Sequence, residues 1–123
     1  EISECLVGSE MCIRDRPSSC YDSLQGKHTD VPSTRKIEQG VDCIYTLEED
    51  KTFLVDKAFN RRIQITHHHA DSIVLWNPWE KTPSAMKADG YRNMVCIETA
   101  RLEKLLQFGE SISAEISTLP ADI

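Results

Sequence analysis

Several features that mark whole classes of protein are absent from this 123-residue sequence. Its apolar runs fall well short of the ~20 residues that a membrane-spanning helix needs. There is no block of lysine and arginine, and the formal net charge of −6 offers no basic patch to displace the counterions of a nucleic acid. No Cys-x-x-Cys pair suggests a structural zinc site. We therefore expect neither a membrane nor a nucleic acid as partner.

The cysteines and the N-terminus indicate the cellular compartment in which the protein is expected. The five cysteines are odd in number and irregularly spaced, which argues against a disulfide framework. The N-terminus lacks the basic-then-apolar pattern of a secretory signal. With 40% hydrophobic and 28% charged residues, the composition is that of a globular protein rather than a disordered one. These observations favour a reducing, cytoplasmic location.

The stretch CLVGSEMCIRDR, residues 5–16, resembles a translated sequencing adapter. The transposon-end oligonucleotide of fragment libraries encodes Glu-Met-Cys-Ile-Arg-Asp, which stands at residues 10–15. The alternative is a genuine polar strand. The length of the match favours the adapter, so we expect residues 1–16 to be a disordered artefact that packs on nothing. Because a gene joined to an adapter is truncated there, we expect residues 17–123 to be the C-terminal part of a larger domain.

The rest of the chain shows short strands separated by turn signals. Residues 61–66 alternate cleanly, and Val41, Cys43 and Tyr45 share one face of another candidate strand. Residues 73–76 are continuously apolar, which predicts a strand covered on both faces. Further strands are expected at residues 53–55, 94–97 and 111–118. This spacing indicates an all-β protein, an antiparallel β-sandwich.

Three segments between these strands are less regular. Residues 17–32 are polar and rich in turn formers, which predicts a loop. Residues 83–88 could form one helical turn, because proline is tolerated at the start of a helix. Residues 101–106 carry leucines at helical spacing, yet a strand is an equally good interpretation.

The segment 73–100 carries the candidate functional side chains. Trp76 and Trp79 flank an Asn-Pro pair at a strand end, where such rings either pack a corner or stack on the C–H faces of a sugar. Glu98 directly follows three apolar residues, so we expect it partly buried at the edge of a strand. It is then either the ion-pair partner of an arginine or a carboxylate of raised pKa that can act as a general base.

The motifs of this segment resemble those of one family. WNPW at residues 76–79, Asp-Gly-Tyr at residues 89–91 and MVCIETA at residues 94–100 look like the C-terminal signature of the glucose-6-phosphate 1-epimerase family. VDCIY at residues 41–45 is similar to that family's aspartate-containing strand. The resemblance extends over residues 20–116, and the order of the motifs makes it specific.

This resemblance implies an antiparallel β-sandwich of the galactose-mutarotase type and an isomerase. Such a mutarotase interconverts the α and β anomers of hexose 6-phosphates and needs no cofactor. Glu98 matches the family's catalytic carboxylate, and Asp42 matches an aspartate that binds sugar hydroxyls. Trp76 is the candidate stacking platform. The implied partner is the hexose 6-phosphate substrate, and no obligate protein partner is evident.

Two parts of the family's pattern have no counterpart in this sequence. The histidine that protonates the ring oxygen belongs to a Leu-His motif that is absent, so we expect the chain by itself to be inactive. Cys43 stands where many members carry an arginine, which puts one phosphate contact in doubt. The alternative function is a non-catalytic carbohydrate-binding sandwich, and a partly buried Glu98 would favour the enzyme over it.

Three consecutive histidines, His67, His68 and His69, suggest a metal site. Neighbouring residues in a strand point to opposite faces, so three in a row cannot all bind one ion in regular geometry. We therefore expect a solvated strand end and no metal ligand. His28, in the polar segment 17–32, is expected to be exposed.

Overall fold

A computed structural model describes residues 10–12, 18–31 and 34–120 of the chain. These residues contain short strands and one 3-10 helix, and none of their helices is long and apolar enough to cross a membrane. The strands are β1 Glu10–Cys12, β2 Ser18–Asp22, β3 Lys27–Val31, β4 Thr34–Lys36, β5 Val41–Thr46, β6 Lys51–Asp56, β7 Arg61–His68, β8 Ser72–Asn77, β9 Cys96–Ala100 and β10 Ser113–Pro120. The 3-10 helix, Gly90–Asn93, lies between β8 and β9.

The described strands form two antiparallel sheets. The first sheet has the strand order β10-β7-β6-β1-β4, and the second sheet has the order β3-β2-β5-β8-β9. Every paired strand in both sheets runs antiparallel to its neighbour. The two sheets pack through their apolar faces. The predicted all-β antiparallel sandwich is therefore confirmed.

The core lies between the sheets, where alternate residues of each strand point inward. The predicted face of Val41, Cys43 and Tyr45 in β5 is buried, and it packs with Ile73 and Leu75 of β8. The expectation that β8 is covered on both faces is wrong. Val74 and Trp76, whose side chains point away from the core, are only half-buried.

The expectation that residues 1–16 pack on nothing is wrong for Glu10–Cys12. These residues form β1, which pairs with β4 on one side and β6 on the other. Met11 is 1% exposed and belongs to the core. The hydrogen bonds between paired strands use backbone groups alone. A three-residue segment with one apolar side chain at its centre can therefore pair with two strands at once and fill the gap between them. Leu6, Val7 and Ile13 lie outside the described residues, and the adapter origin stays a prediction.

The loop predicted for residues 17–32 is instead the hairpin β2–β3. Local composition was misleading, because β2 also pairs with β5 and takes its strand conformation from that tertiary contact. The hairpin turn is held by Asp22, whose Oδ1 accepts hydrogen bonds from the backbone N–H of Leu24 at 2.9 Å and of Gln25 at 3.2 Å. Gly26 completes the turn with a φ of 69°, a conformation that glycine adopts without strain.

Residues 83–88 and 101–106 form neither helix nor strand. In the second segment, the backbone N–H groups of Leu102, Glu103 and Lys104 donate to the carboxylate of Asp71, at 2.8, 3.1 and 2.8 Å. Burial acts to raise the pKa of Asp71, but these donors and the Ser72 hydroxyl outweigh it and lower the pKa to about 2. The carboxylate replaces the hydrogen bonds that a helix would have supplied.

We expect Met11→Ala to lower the free energy of unfolding by about 2–5 kcal/mol, because it leaves a cavity in the core. The control is Glu10→Ala, which removes an ion pair with Lys57 (3.5 Å) and should cost less than about 1 kcal/mol. Urea denaturation of both variants measures the difference. Equal, small losses would contradict the packing of β1.

Candidate functional site

The register of β8 with its two neighbours brings the three predicted site residues to one face. Asp42 of β5 lies directly opposite Trp76 of β8, and Trp76 lies opposite Cys96 of β9. Glu98 lies opposite Val74, two residues before Trp76. Opposite residues in an antiparallel ladder point to the same side. Asp42, Trp76 and Glu98 therefore share the outer face of the second sheet, while their roles stay predictions.

The spacing on this face suits a small ligand. Asp42 and Glu98 are two strands and two residues apart, which corresponds to about 12 Å between their Cα atoms. Trp76 lies on the strand between them and is half-buried. One pyranose ring placed on the indole can thus reach both carboxylates.

Glu98 is exposed, and the expectation that it is partly buried is wrong. It points outward from β9, the edge strand of the second sheet, where no described layer covers it. The half-buried Cys96 is on the same face: burial raises the pKa of its thiol, and the negative charge of Glu98 raises that pKa further. The carboxylate is accordingly open to a ligand, beside a thiol that stays protonated at neutral pH.

A pocket of about 540 Å³ opens at the end of β8. Its walls are mostly apolar and include Trp76 and Trp79, while Gln39, Glu80 and Lys81 supply polar groups. This size and this combination are typical of small-molecule sites. Trp76 belongs both to the pocket and to the face that carries Asp42 and Glu98, so the two features are continuous.

Asn77 organises this pocket, a role that the sequence analysis missed. The side chain is buried, and its Nδ2 donates to the backbone oxygens of Tyr91 at 3.0 Å and Met94 at 2.9 Å. Its Oδ1 accepts a hydrogen bond from the backbone N–H of Trp79 at 2.7 Å. That bond helps to hold Trp79 at a φ of 57°, a strained conformation for a bulky residue. The Asn-Pro pair signalled a turn, but the partners of Asn77 follow only from the tertiary structure.

Cys43 faces the core, away from Asp42. Arg35 reaches in from β4, and its Nη1 donates to Cys43 Sγ and to the Tyr45 hydroxyl, each at 3.1 Å. Burial raises the pKa of Cys43 to about 11 and that of Tyr45 to about 12, although Arg35 lowers both. A side chain at position 43 points between the sheets, and the statement about a phosphate contact at this position stays a prediction.

The four histidines do not lie beside Glu98 on its face. His28 is exposed, as expected, and packs edge-on against Tyr21 with 5.2 Å between ring centroids. It is in β3, four strands from β9, or about 19 Å away. His67 points into the core, whereas His68 Nε2 lies 3.2 Å from Glu115 Oε1 on the first sheet. No three potential metal ligands cluster among residues 10–12, 18–31 and 34–120.

Comparison with known proteins assigns this architecture to a family. Residues 8–118 match the family profile described as aldose 1-epimerase. A protein of Haemophilus influenzae, named as a candidate glucose-6-phosphate 1-epimerase, is 49% identical over 105 residues, which are 85% of this chain and 39% of that protein. A protein of Cenchrus ciliaris with the same name is 32% identical over 88 residues, 68% of this chain and 27% of its own length.

Solved structures agree with these matches. The crystal structure of HI1317 aligns with a TM-score of 0.87 and 45% identity, and the alignment covers 94% of this chain and 42% of HI1317. A candidate mutarotase of Salmonella typhimurium, YeaD, aligns with a TM-score of 0.76 at 23% identity, over 95% of this chain and 42% of YeaD, which shows the fold alone. The chain thus spans about two fifths of the length of the H. influenzae relative and of these structures.

We expect Asn77→Ala to lower the free energy of unfolding by about 2–4 kcal/mol, because buried backbone groups lose their partners. Asn93→Ala, at an exposed position of the 3-10 helix, is the matched control and should change stability by less than about 0.5 kcal/mol. Thermal and urea unfolding give both values. An Asn77→Ala protein as stable as the control would show that this side chain does not hold the pocket together.

Proposed function

Because the chain belongs to the aldose 1-epimerase family, we propose that it supplies the carboxylate part of a site that interconverts the α and β anomers of a hexose 6-phosphate. The observation that carries the proposal is the common outer face of Asp42, Trp76 and Glu98. The accessible carboxylate of Glu98 suits the general base that anomer exchange on a pyranose requires, and Trp76 and Asp42 lie within reach of the same sugar.

Glu98 acts as the general base in this proposal. Its carboxylate accepts the proton of the anomeric hydroxyl while the bond between the anomeric carbon and the ring oxygen breaks. The ring oxygen takes a proton from a general acid, and the sugar becomes an open-chain aldehyde. After rotation about the bond to the aldehyde carbon, the same steps in reverse close the ring with the opposite configuration.

Asp42 and Trp76 bind the sugar. A carboxylate accepts two hydrogen bonds from neighbouring hydroxyls, which suits Asp42, and the Trp76 indole stacks on the C–H face of the ring. Lys81 lines the adjoining pocket and supplies a cation for a phosphate. This arrangement supports a hexose 6-phosphate as the substrate class.

The general acid lies outside the described face of this chain. None of the histidines adjoins Glu98 on its side of the sheet: His28 is about 19 Å away, His67 and His68 belong to the first sheet, and His69 follows the end of β7. We therefore propose that the chain alone gives only the spontaneous rate of anomer exchange. The free thiols of Cys20, Cys43 and Cys96 support the predicted cytoplasmic location.

A non-catalytic carbohydrate-binding sandwich is the second candidate. A partly buried Glu98, expected from the sequence, would favour the enzyme. The observed exposure of Glu98 supports the binding module better than that expectation did, because an exposed carboxylate is as useful for binding hydroxyls as for proton transfer. The two candidates differ in what the loss of Glu98 does, since a binding module loses affinity and an enzyme loses rate.

The decisive experiment uses a chimera in which residues 18–120 replace the matching segment of the H. influenzae relative. We expect it to accelerate anomer exchange of glucose 6-phosphate, measured by anomer-resolved NMR, while the 123-residue chain alone does not. In the chimera, Glu98→Gln should lower kcat by roughly 10²-fold, because it removes a general base. It should leave KM nearly unchanged, since the amide keeps the size and one acceptor oxygen.

Matched to this variant is Glu103→Gln, which changes an exposed glutamate off the face of β9 and should leave kcat unchanged. A chimera with the spontaneous rate would contradict the enzyme. A Glu98→Gln chimera with full kcat and a raised KM would show that Glu98 binds the sugar and is not the general base.

For Asp42→Ala in the same chimera, we expect KM to rise about tenfold or more, because a charged hydrogen bond of ~1.5–3 kcal/mol is lost. The kcat value should fall much less, since Asp42 moves no proton. Steady-state kinetics separate the two parameters. A fall in kcat at constant KM would place Asp42 in the chemical step and overturn its role as a sugar ligand.

A further inference from the structure

His67 is a buried titratable residue that the proposed chemistry does not use. It is 3% exposed and points from β7 into the space between the sheets. Its Nε2 lies 2.9 Å from Thr52 Oγ1 in β6, and its Nδ1 lies 2.7 Å from Thr99 Oγ1 in β9. The imidazole therefore joins the first sheet, which contains Thr52, to the second sheet, which contains Thr99.

The hydrogen-bond partner of His67 in β9, Thr99, directly follows Glu98 in the sequence. Strand alternation turns Thr99 toward the core and Glu98 toward the outer face, so the two side chains leave the same short stretch of backbone in opposite directions. Among the described strands, β9 is at the edge of the second sheet and pairs with β8 alone. Edge strands are held less firmly than central ones, because one row of their backbone groups has no ladder partner.

The chemistry of the bridge suits a permanent contact. A hydroxyl either donates or accepts, so two threonines satisfy a neutral imidazole, one of whose nitrogens donates while the other accepts. Burial lowers the pKa of His67 below its ordinary value; the charge of Asp50 raises it and that of His68 lowers it. The Asp50 backbone oxygen also accepts a hydrogen bond from the His67 backbone N–H at 2.7 Å, which anchors the residue to the first sheet.

We propose that His67 is a positioning residue that acts through Thr99: the hydrogen bond between His67, which is anchored in the first sheet, and Thr99 holds edge strand β9 in place and so fixes the position of Glu98 beside Trp76. This proposal rests on the function proposed above, in which Glu98 transfers the proton. A general base displaced by even 1 Å loses much of its effect, because proton transfer needs hydrogen-bond geometry.

The simpler alternative is a histidine that only stabilises the core. Two isosteric substitutions separate the possibilities. Thr99→Val and Thr52→Val each remove one hydroxyl and one hydrogen bond from the same imidazole. Only the first releases β9, whereas the second weakens the link within the first sheet. Thr99→Ser keeps the hydroxyl and serves as the conservative rescue.

The first measurement is amide hydrogen exchange by NMR on the 123-residue chain. We expect Thr99→Val to speed the exchange of the β9 amides about tenfold or more, because local opening of an edge strand becomes easier. Thr52→Val and Thr99→Ser should stay within about threefold of the parent in β9. Equal acceleration in both valine variants, or none in either, would overturn the proposal.

The second measurement is kinetic and uses the chimera. Thr99→Val should lower kcat about tenfold at nearly constant KM, and Thr99→Ser should restore it, while Thr52→Val changes kcat by less than about threefold. A Thr99→Val chimera with full kcat would overturn the positioning role while the proposed function stands. A parent chimera without activity would overturn the proposed function and with it the catalytic role of this bridge, while hydrogen exchange would still decide whether the bridge holds β9.

Discussion

The pairing of β8 with β5 and β9 is the constraint on which the rest of this protein depends. Among the described strands, β8 pairs with both strands that contain a candidate site carboxylate: Asp42 is in β5 and Glu98 is in β9. A shift of one residue in either ladder would turn every side chain of that strand to the other face. The same register that buries Cys43, Leu75 and Ile73 between the sheets therefore assembles the outer face of Asp42, Trp76 and Glu98.

Polar side chains, rather than regular structure, shape the segments around this face. Asn77 joins the end of β8 to the backbone near β9 and to Trp79, and Asp71 collects the backbone N–H groups that follow β9. Both act by satisfying backbone groups that no ladder reaches. This is an economical way to hold loops beside a site, because one side chain replaces several backbone partners.

His67 shows how a conspicuous sequence feature can have a function other than its first interpretation. A solvated strand end was expected for the three adjacent histidines, and this is wrong for His67, whose side chain is buried in the core. The carboxylate and the imidazole then lie on opposite sides of β9, with Thr99 as the link between them. In our proposal, this link lets a residue of the interior fix the position of a residue on the outer face.

The sequence by itself determined the all-β fold class and the family. It also determined which side chains of a strand point to the same face. These properties depend on local alternation and on contiguous motifs, such as the WNPW and MVCIETA segments. The common face of Asp42 and Glu98 was within reach of the sequence only because the family resemblance had already paired the two residues.

Only the tertiary structure decided which strands are neighbours. The differences between the predictions and the structure follow from these pairings. Residues 18–31 form a hairpin because β2 pairs with β5, and Met11 is buried because β1 fits between β4 and β6. Glu98 is exposed because β9 is an edge strand, which its apolar neighbours in sequence could not reveal. The partners of His67 include Thr99, 32 residues away, and a contact over that distance is set by how the sheets pack, not by any local pattern.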